Sequence, residues 1–264
     1  MDVSGKQIWI TGASSGIGRA LALQLAAQNN KLILSARREE VLRDLAADLG
    51  GKNQEAIAMP IDFSDADNAL QRSEQIIAEL GKVDILIHAA GISQRARVID
   101  AGMDVYRSVM ETNYFGLIAA VKAVLPEMLL AGKGTIVAIS SVAGKVGSKN
   151  RSGYSGSKFA VCGFMDCLRA EIARSGVHCL TVCPGYVKTN IARNALQADG
   201  SRREKSTDEI DRGMDPDACA AKIITAIRQQ KSEVVIAKGT GRWAPLLNRI
   251  CPVAIRWVVA GRDM

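Results

Sequence analysis

Along this chain, short runs of β-branched and apolar residues alternate with longer stretches whose apolar positions recur every three or four residues. Residues 7–11, 31–36, 55–61, 83–88, 135–140, 177–183 and 233–236 predict strands. Residues 16–28, 39–49, 64–80, 104–130, 154–174 and 216–230 predict helices between them. Strands joined by helix-length connections lie parallel, and right-handed crossovers place the helices on both faces of the sheet. The pattern therefore predicts an α/β fold, a doubly wound parallel sheet of about seven strands. Residues 186–215 break the alternation with neither a clear strand nor a long apolar helix, and read as a lid within one domain spanning 1–240. In the extension 241–264, Arg242, Arg249 and Arg256 fall on one helical stripe, and Leu246, Leu247, Ile250, Val253, Ala254, Trp257 and Val258 gather opposite. Pro245 and Pro252 divide this basic amphipathic segment into two short helices.

Composition narrows the classes. The chain has 264 residues, and its 48% hydrophobic content can fill one large core. The net charge of +7 raises nucleic acid as a partner, but 4% aromatic content and the lack of a long Lys/Arg run argue against it. Much of that charge sits at one end, where Lys231, Lys238, Arg242, Arg249, Arg256 and Arg262 outnumber Glu233 and Asp263. The six cysteines, Cys162, Cys167, Cys179, Cys183, Cys219 and Cys251, show no CxxC spacing and sit in apolar runs, as buried reduced thiols do. They predict a cytoplasmic protein. Residues 1–10 lack an export-signal pattern, and no apolar run reaches the ~18 residues of a spanning helix.

Residues 11–18, TGASSGIG, follow the first strand and open a helix. Glycines there permit a tight turn, close approach of backbone to a pyrophosphate and close packing of helix on strand. Gly12, Ser14, Ser15, Gly16, Ile17 and Gly18 are thus the candidate cradle of a dinucleotide. The spacing GxxxGxG does not by itself name an enzyme. NAD-binding folds place an acid about 20 residues further on for the ribose hydroxyls. Here the second strand ends instead in Arg37 and Arg38, whose guanidiniums suit the 2′-phosphate of NADP. Asp62, next to Phe63 at the end of the third strand, is placed for the adenine, with helix capping by Asp62 and Ser64 as its rival role.

Tyr154 and Lys158 are four residues apart in a helical pattern, so both project from one face. A nearby ammonium favours tyrosinate and would lower the phenol pKa toward a working range. Chance supplies such a pair in roughly one chain in five of this composition, so context must carry it. Ser141 supplies that context, at the carboxyl end of the fifth strand, where open α/β sheets bind ligands and a hydroxyl can donate to a carbonyl oxygen. His88 and His178 have no metal-ligand spacing, and the GxSxG elbow of serine hydrolases is absent.

TGASSGIG, Asn113 in Glu111-Thr112-Asn113, Ser141, the YSGSK of residues 154–158 and Pro184-Gly185 together resemble the short-chain dehydrogenase/reductases, over about residues 5–236. The resemblance implies a Rossmann-like fold and ketone–alcohol interconversion with NADP(H). In that scheme Tyr154 is the acid/base, Lys158 holds the nicotinamide ribose and tunes Tyr154, Ser141 steadies the substrate oxygen, and Asn113 holds a relay water with Lys158. It further implies that Ala89, Ala90, Gly91, Pro184, Gly185, Val187 and Thr189 meet the cofactor. One departure stands out: the family's Asn-Asn-Ala-Gly is here His88-Ala89-Ala90-Gly91, which leaves in question the amide bonds that brace the sheet. The tail is similar to that of the membrane-associated lipid and steroid ketone reductases. It predicts a lipophilic substrate and either peripheral contact with the cytoplasmic membrane face or packing over a pocket or interface. The resemblance also implies a homodimer or homotetramer. Two rivals remain: a reductase of polar carbonyls, drawn by Lys149, Arg151, Arg202 and Arg203, and a non-catalytic NADP sensor.

Overall fold

A computed structural model describes residues 1–50 and 55–261. Its elements are β1 (Gln7–Thr11), α1 (Gly16–Ala26), β2 (Lys31–Ser35), α2 (Glu39–Gly50), β3 (Ala56–Ala58), α3 (Ala66–Leu80), β4 (Ile85–His88), α4 (Met103–Met110), α5 (Gly116–Leu130), β5 (Gly134–Ile139), α6 (Ser152–Glu171), β6 (Val177–Pro184), α7 (Asp208–Asp211), α8 (Pro216–Arg228), β7 (Glu233–Ile236), α9 (Ala244–Ile250) and α10 (Pro252–Ala260). The seven strands form one sheet in the order β3-β2-β1-β4-β5-β6-β7, and each neighbouring pair is parallel. The order reverses between β1 and β4, which opens a crevice at their carboxyl ends.

Successive strand residues face opposite sides, so the sheet has two cores. Ile8, Ile10, Leu32, Leu34, Ile85 and Ile87 pack with Leu21, Leu42 and Ile223 of α1, α2 and α8. Trp9, Ile33, Leu86 and Ile136 pack with Ile76, Leu117 and Met165 of α3, α5 and α6. Trp9 is wholly buried and its indole N–H donates to Ser35 Oγ at 2.9 Å, so the bulkiest core side chain leaves no polar atom unpaired.

The departures from the sequence pattern have local causes. β3 is shorter than residues 55–61 because it is an edge strand and Pro60 offers no N–H to the ladder. α3 is capped by Asp65, whose carboxylate accepts from the Asn68 amide at 3.1 Å, and neither Asp62 nor Ser64 is its cap. Asp62 instead accepts from both the amide and the hydroxyl of Ser64, closing a turn. The single helix expected over 104–130 is interrupted by a π turn at Glu111–Phe115. The stretch Met103–Leu130 is long and apolar enough to cross a membrane, but half of its most apolar window is buried against the body of the protein. Cys167, on the outer face of α6, and Cys251, at the break between α9 and α10, are exposed, whereas the other four thiols are buried.

α9 and α10 meet at Cys251 and Pro252, as the two prolines predict. They fold back over the carboxyl edge of the sheet: Asn248 Nδ2 donates to the Lys145 carbonyl at 3.0 Å, and Ile255 is buried. Arg262 and Asp263 of the basic extension lie outside the described residues.

Candidate active site

The crevice is a cleft of about 790 Å³ running from the glycine turn to α10. At one end Gly12 has φ +68°, and a Cβ there would stand 2.7 Å from the Ala90 nitrogen and 2.8 Å from the Ala89 carbonyl. β1 and β4 can approach this closely only because Gly12 lacks a side chain. Gly18 likewise lets α1 rest on the turn, since its Cβ would lie 2.4 Å from the Gly12 oxygen. Ser15 is the N-cap of α1 but makes no side-chain cap bond, and the first turn holds no acid. Its amide donors therefore face the cleft with no competing carboxylate, the arrangement an anionic pyrophosphate needs.

Ser14, Gly16, Ile17, Arg37, Arg38, Asp62, Phe63, Ala89, Ala90 and Gly91 all line this end. Arg38 donates to both the carbonyl and the hydroxyl of Ser14 at 3.0 Å, and Arg37 stands 4.0 Å from Asp62. Two half-exposed cations thus flank the turn at the tip of β2, where a ribose phosphate would lie. Thr189 closes over the turn, with its Cγ2 2.9 Å from where a Gly16 Cβ would be. Pro184, Gly185 and the buried Val187 follow β6 along the opposite wall.

At the other end Ser141, Tyr154 and Lys158 converge. Ser141 ends the extended run after β5 and caps a short 3-10 turn, accepting from the Ala143 amide at 3.1 Å. Its hydroxyl also donates to the Pro184 carbonyl at 3.4 Å and lies near enough to Tyr154 to lower the phenol's proton affinity. Lys158 lies one turn along α6 from Tyr154; its Nζ is 5.9 Å from the Tyr154 ring centre and donates to the Ile139 carbonyl at 2.9 Å. The expected depression of the tyrosine pKa by this lysine is not found. Burial raises the Tyr154 pKa above the usual phenol value, against smaller lowering effects of the Ser141 hydroxyl and the Arg151 charge. Burial also pushes Lys158 down to about 8, which weakens its hold as a fixed cation.

Asn113 sits in the π turn, where the widened helix carries its side chain toward β4. Its Oδ1 accepts from the Ile92 amide at 2.8 Å, and its Nδ2 donates to the Ile92 carbonyl and to Ser157 Oγ, each at 2.9 Å. That amide braces α6 against the loop after β4, and its Oδ1, with one lone pair still open, stands with Lys158 Nζ beside Gly91. The bracing role in question at His88 is visible too: its Nδ1 lies 3.0 Å from Thr11 Oγ1, which also accepts from the Ala90 amide. The ring packs edge-on against Phe63 at 5.2 Å. Burial, with help from the Lys158 charge, drives the His88 pKa down to about 3, so the ring is neutral.

Arg95 was not singled out from the sequence, because an isolated arginine in a loop carries no motif; it lines the cleft beside Arg151 and Arg202. Leu247, Ile255, Val258 and Val259 of the tail line the cleft as well. Residues 186–215 reach it through a short bridge, Arg95 donating to the Leu196 carbonyl and Leu196 to that of Ser93.

Fold and cleft together define a doubly wound α/β protein with a ligand site at the reversal point of its sheet. A family model described as "short chain dehydrogenase" matches residues 6–200. The chain belongs to the short-chain dehydrogenase/reductase family of oxidoreductases. It is 37% identical to the Dehydrogenase/reductase SDR family member 7B of Danio rerio, over 99% of this chain and 86% of that one. A Drosophila melanogaster relative, Dehydrogenase/reductase SDR family protein 7-like, is 36% identical over 98% and 80%. Among solved structures, a short-chain dehydrogenase from Streptomyces avermitilis superposes with a TM-score of 0.81 at 30% identity, covering 99% of this chain and all of that one. One from Sphingobium yanoikuyae, in complex with NADPH, gives 0.78 at 24% identity, with coverage of 98% and 97%.

Proposed function

We propose that this protein is an NADP(H)-dependent oxidoreductase that interconverts a lipophilic ketone and its secondary alcohol. The observation that carries the reading is the convergence of Ser141, Tyr154 and Lys158 in the same cleft as the glycine turn. The turn fits a dinucleotide: Gly12 makes room for backbone approach, α1 presents uncapped amides, and Arg37, Arg38 and Ser14 offer donors to a 2′-phosphate. When bound, the cofactor supplies or accepts the hydride. Solved relatives bind either form, NAD in one from Burkholderia phymatum and NADPH in that from Sphingobium yanoikuyae, so the preference rests on Arg37 and Arg38.

Tyr154, with its pKa raised by burial, holds its proton at neutral pH and gives it to the carbonyl oxygen during reduction. Ser141 donates to the same oxygen as charge develops there. Lys158, held by the Ile139 carbonyl beside Tyr154, would hold the nicotinamide ribose and keep a proton available to Tyr154, and Asn113 would hold a water beside Lys158. The apolar tail residues over the cleft favour a lipophilic substrate. Exposed Trp243, Ile250, Val253 and Trp257, with the basic Arg242, Arg249 and Arg256, suit peripheral contact with an anionic membrane surface. Exposed Phe115 and Phe159, near the starts of α5 and α6, suit assembly of copies along these helices.

The test is NADPH and NADH oxidation across a panel of medium-chain ketones. Turnover with NADPH at least tenfold above NADH, abolished in Tyr154→Phe, is expected. Binding of NADPH with no turnover of any ketone, and of NADP with no turnover of any alcohol, would leave the sensor reading in its place. Equal rates with NADH would remove the role given to Arg37 and Arg38.

A further inference from the structure

A cluster of cations stands at the Tyr154 end of the cleft, far along the sheet from Arg37 and Arg38. Arg95 follows β4 and is pinned by its main chain to Leu196. Arg151 pairs with Ala96 in a short bridge, precedes α6, and lays its guanidinium 5.4 Å from the centre of the Tyr186 ring. Arg203 is fixed by its amide to the Ala195 carbonyl. Three separate segments therefore bring guanidiniums together, and Arg95 feels both of the others as repulsive neighbours. Glu209 faces Arg95 and Arg151. Among the described residues, that one carboxylate does not balance three guanidiniums.

The hydrogen bonding is also incomplete. Among the described residues, Arg95 Nη2, Arg151 Nε and Arg203 Nη1 are buried without a hydrogen-bond partner, and so is the hydroxyl of Ser148, which lines the same cleft. Buried donors are almost always satisfied, and a group of them left open in one place marks an absent acceptor. Burial and the two neighbouring charges push Arg95 down to about 10, far below the ordinary guanidinium range. Forked, fixed guanidiniums match the oxygens of a phosphate or carboxylate better than any neutral group. Arg151 lines the same cleft as Tyr154 and Ser141, and its charge is felt at the Tyr154 hydroxyl, so an anion bound here shares the cleft with a carbonyl held by Tyr154 and Ser141.

We infer that Arg95, Arg151 and Ser148, which line the cleft, form an anion subsite backed by the charge of Arg203, and that the substrate is an amphiphile with a phosphate or carboxylate near its carbonyl and an apolar chain under the tail. This deepens the proposed function, because it rests on the cleft being the substrate site. It also joins two features that otherwise point to different substrates, the polar arginines and the apolar Leu247, Ile255 and Val258.

The test is direct binding to the NADP-saturated enzyme by titration calorimetry, with octyl phosphate, octanoate, 1-octanol and inorganic phosphate as probes. Octyl phosphate or octanoate should bind at least tenfold more tightly than 1-octanol and than inorganic phosphate. Arg95→Met, which keeps the apolar stem, and Arg151→Met should remove that advantage while 1-octanol binds as before; Arg95→Lys should keep part of it. Loss of one repulsive charge should leave the melting temperature of Arg95→Met at or above that of the wild type when no anion is present. Equal affinity for the octyl anions and 1-octanol would overturn the subsite, as would unchanged anion binding in the Arg95→Met/Arg151→Met double variant. Inorganic phosphate binding as tightly as octyl phosphate would overturn the amphiphile. Arginine-dependent binding of the octyl anions without turnover of any ketone or alcohol would overturn the oxidoreductase reading and leave the subsite standing.

Discussion

At the scale of single residues, chemistry and stability oppose one another at Lys158. Its folded pKa, about 8, lies below the ordinary lysine value, so the unfolded chain binds more protons between pH 8 and 10.5 and stability rises with pH across that window. The penalty for the buried ammonium is fully present below pH 8. Lys158→Met should therefore abolish turnover yet stabilise the protein at pH 7 by about 1–2 kcal/mol, after allowing for the lost bond to Ile139. Urea unfolding should show that gain shrinking as pH climbs toward 10.5, and wild-type and variant curves that stay parallel would refute it. His88 has the same sign at lower pH. Its folded value, about 3, lies below the histidine norm of 6.5, so its contribution is complete above 6.5 and is lost as pH falls toward 3. His88→Asn, which restores the residue type of the family pattern, should flatten the loss of stability between pH 6.5 and 4. Denaturant midpoints at both pH values measure this; an unchanged slope would mean that His88 is not held neutral. The identities of both residues are legible in the sequence, but their proton affinities are not, because burial is set by residues distant in the chain.

At the scale of elements, hydrophobic periodicity foretold every strand and the longer helices between them, though not the four-residue α7, since a strand apolar on both faces and a helix with one apolar stripe need no further information to be recognised. Bounds failed where a contact outside the pattern intervened, as at the Asp65 cap of α3 and the π turn that carries Asn113. The glycine turn shows how tightly elements constrain each other. Gly18→Ala would force a Cβ to within 2.4 Å of the Gly12 oxygen, so α1 must lift off the turn. That should cost about 1–3 kcal/mol in thermal unfolding and weaken NADPH binding at least tenfold, because the helix amides move from the pyrophosphate. Unaltered affinity measured by NADPH fluorescence would show that the amides of α1 do not hold it.

At the scale of the molecule, the tail faces two ways. Ile255 is buried and Leu247 and Val258 cover the cleft, while Ile250 and Trp257 are more than 70% exposed on the outside. The outer side chains make no packing that folding needs, so Ile250→Glu with Trp257→Glu should leave the melting temperature within about a degree. The wild type should sediment with vesicles of mixed neutral and anionic lipid, and the double variant should remain in the supernatant. Equal partition of both proteins would mean that this face does not bind membrane.

The order of strands and helices, the glycine turn, the arginines at the tip of β2 and the Tyr154–Lys158 pair follow from the sequence itself, because each is encoded by local spacing. The tertiary structure alone decided that the tail roofs the cleft, that Tyr154 holds its proton rather than shedding it, and that Arg95, Arg151 and Arg203 meet. Those outcomes depend on burial and on contacts between segments tens of residues apart, which no local pattern records.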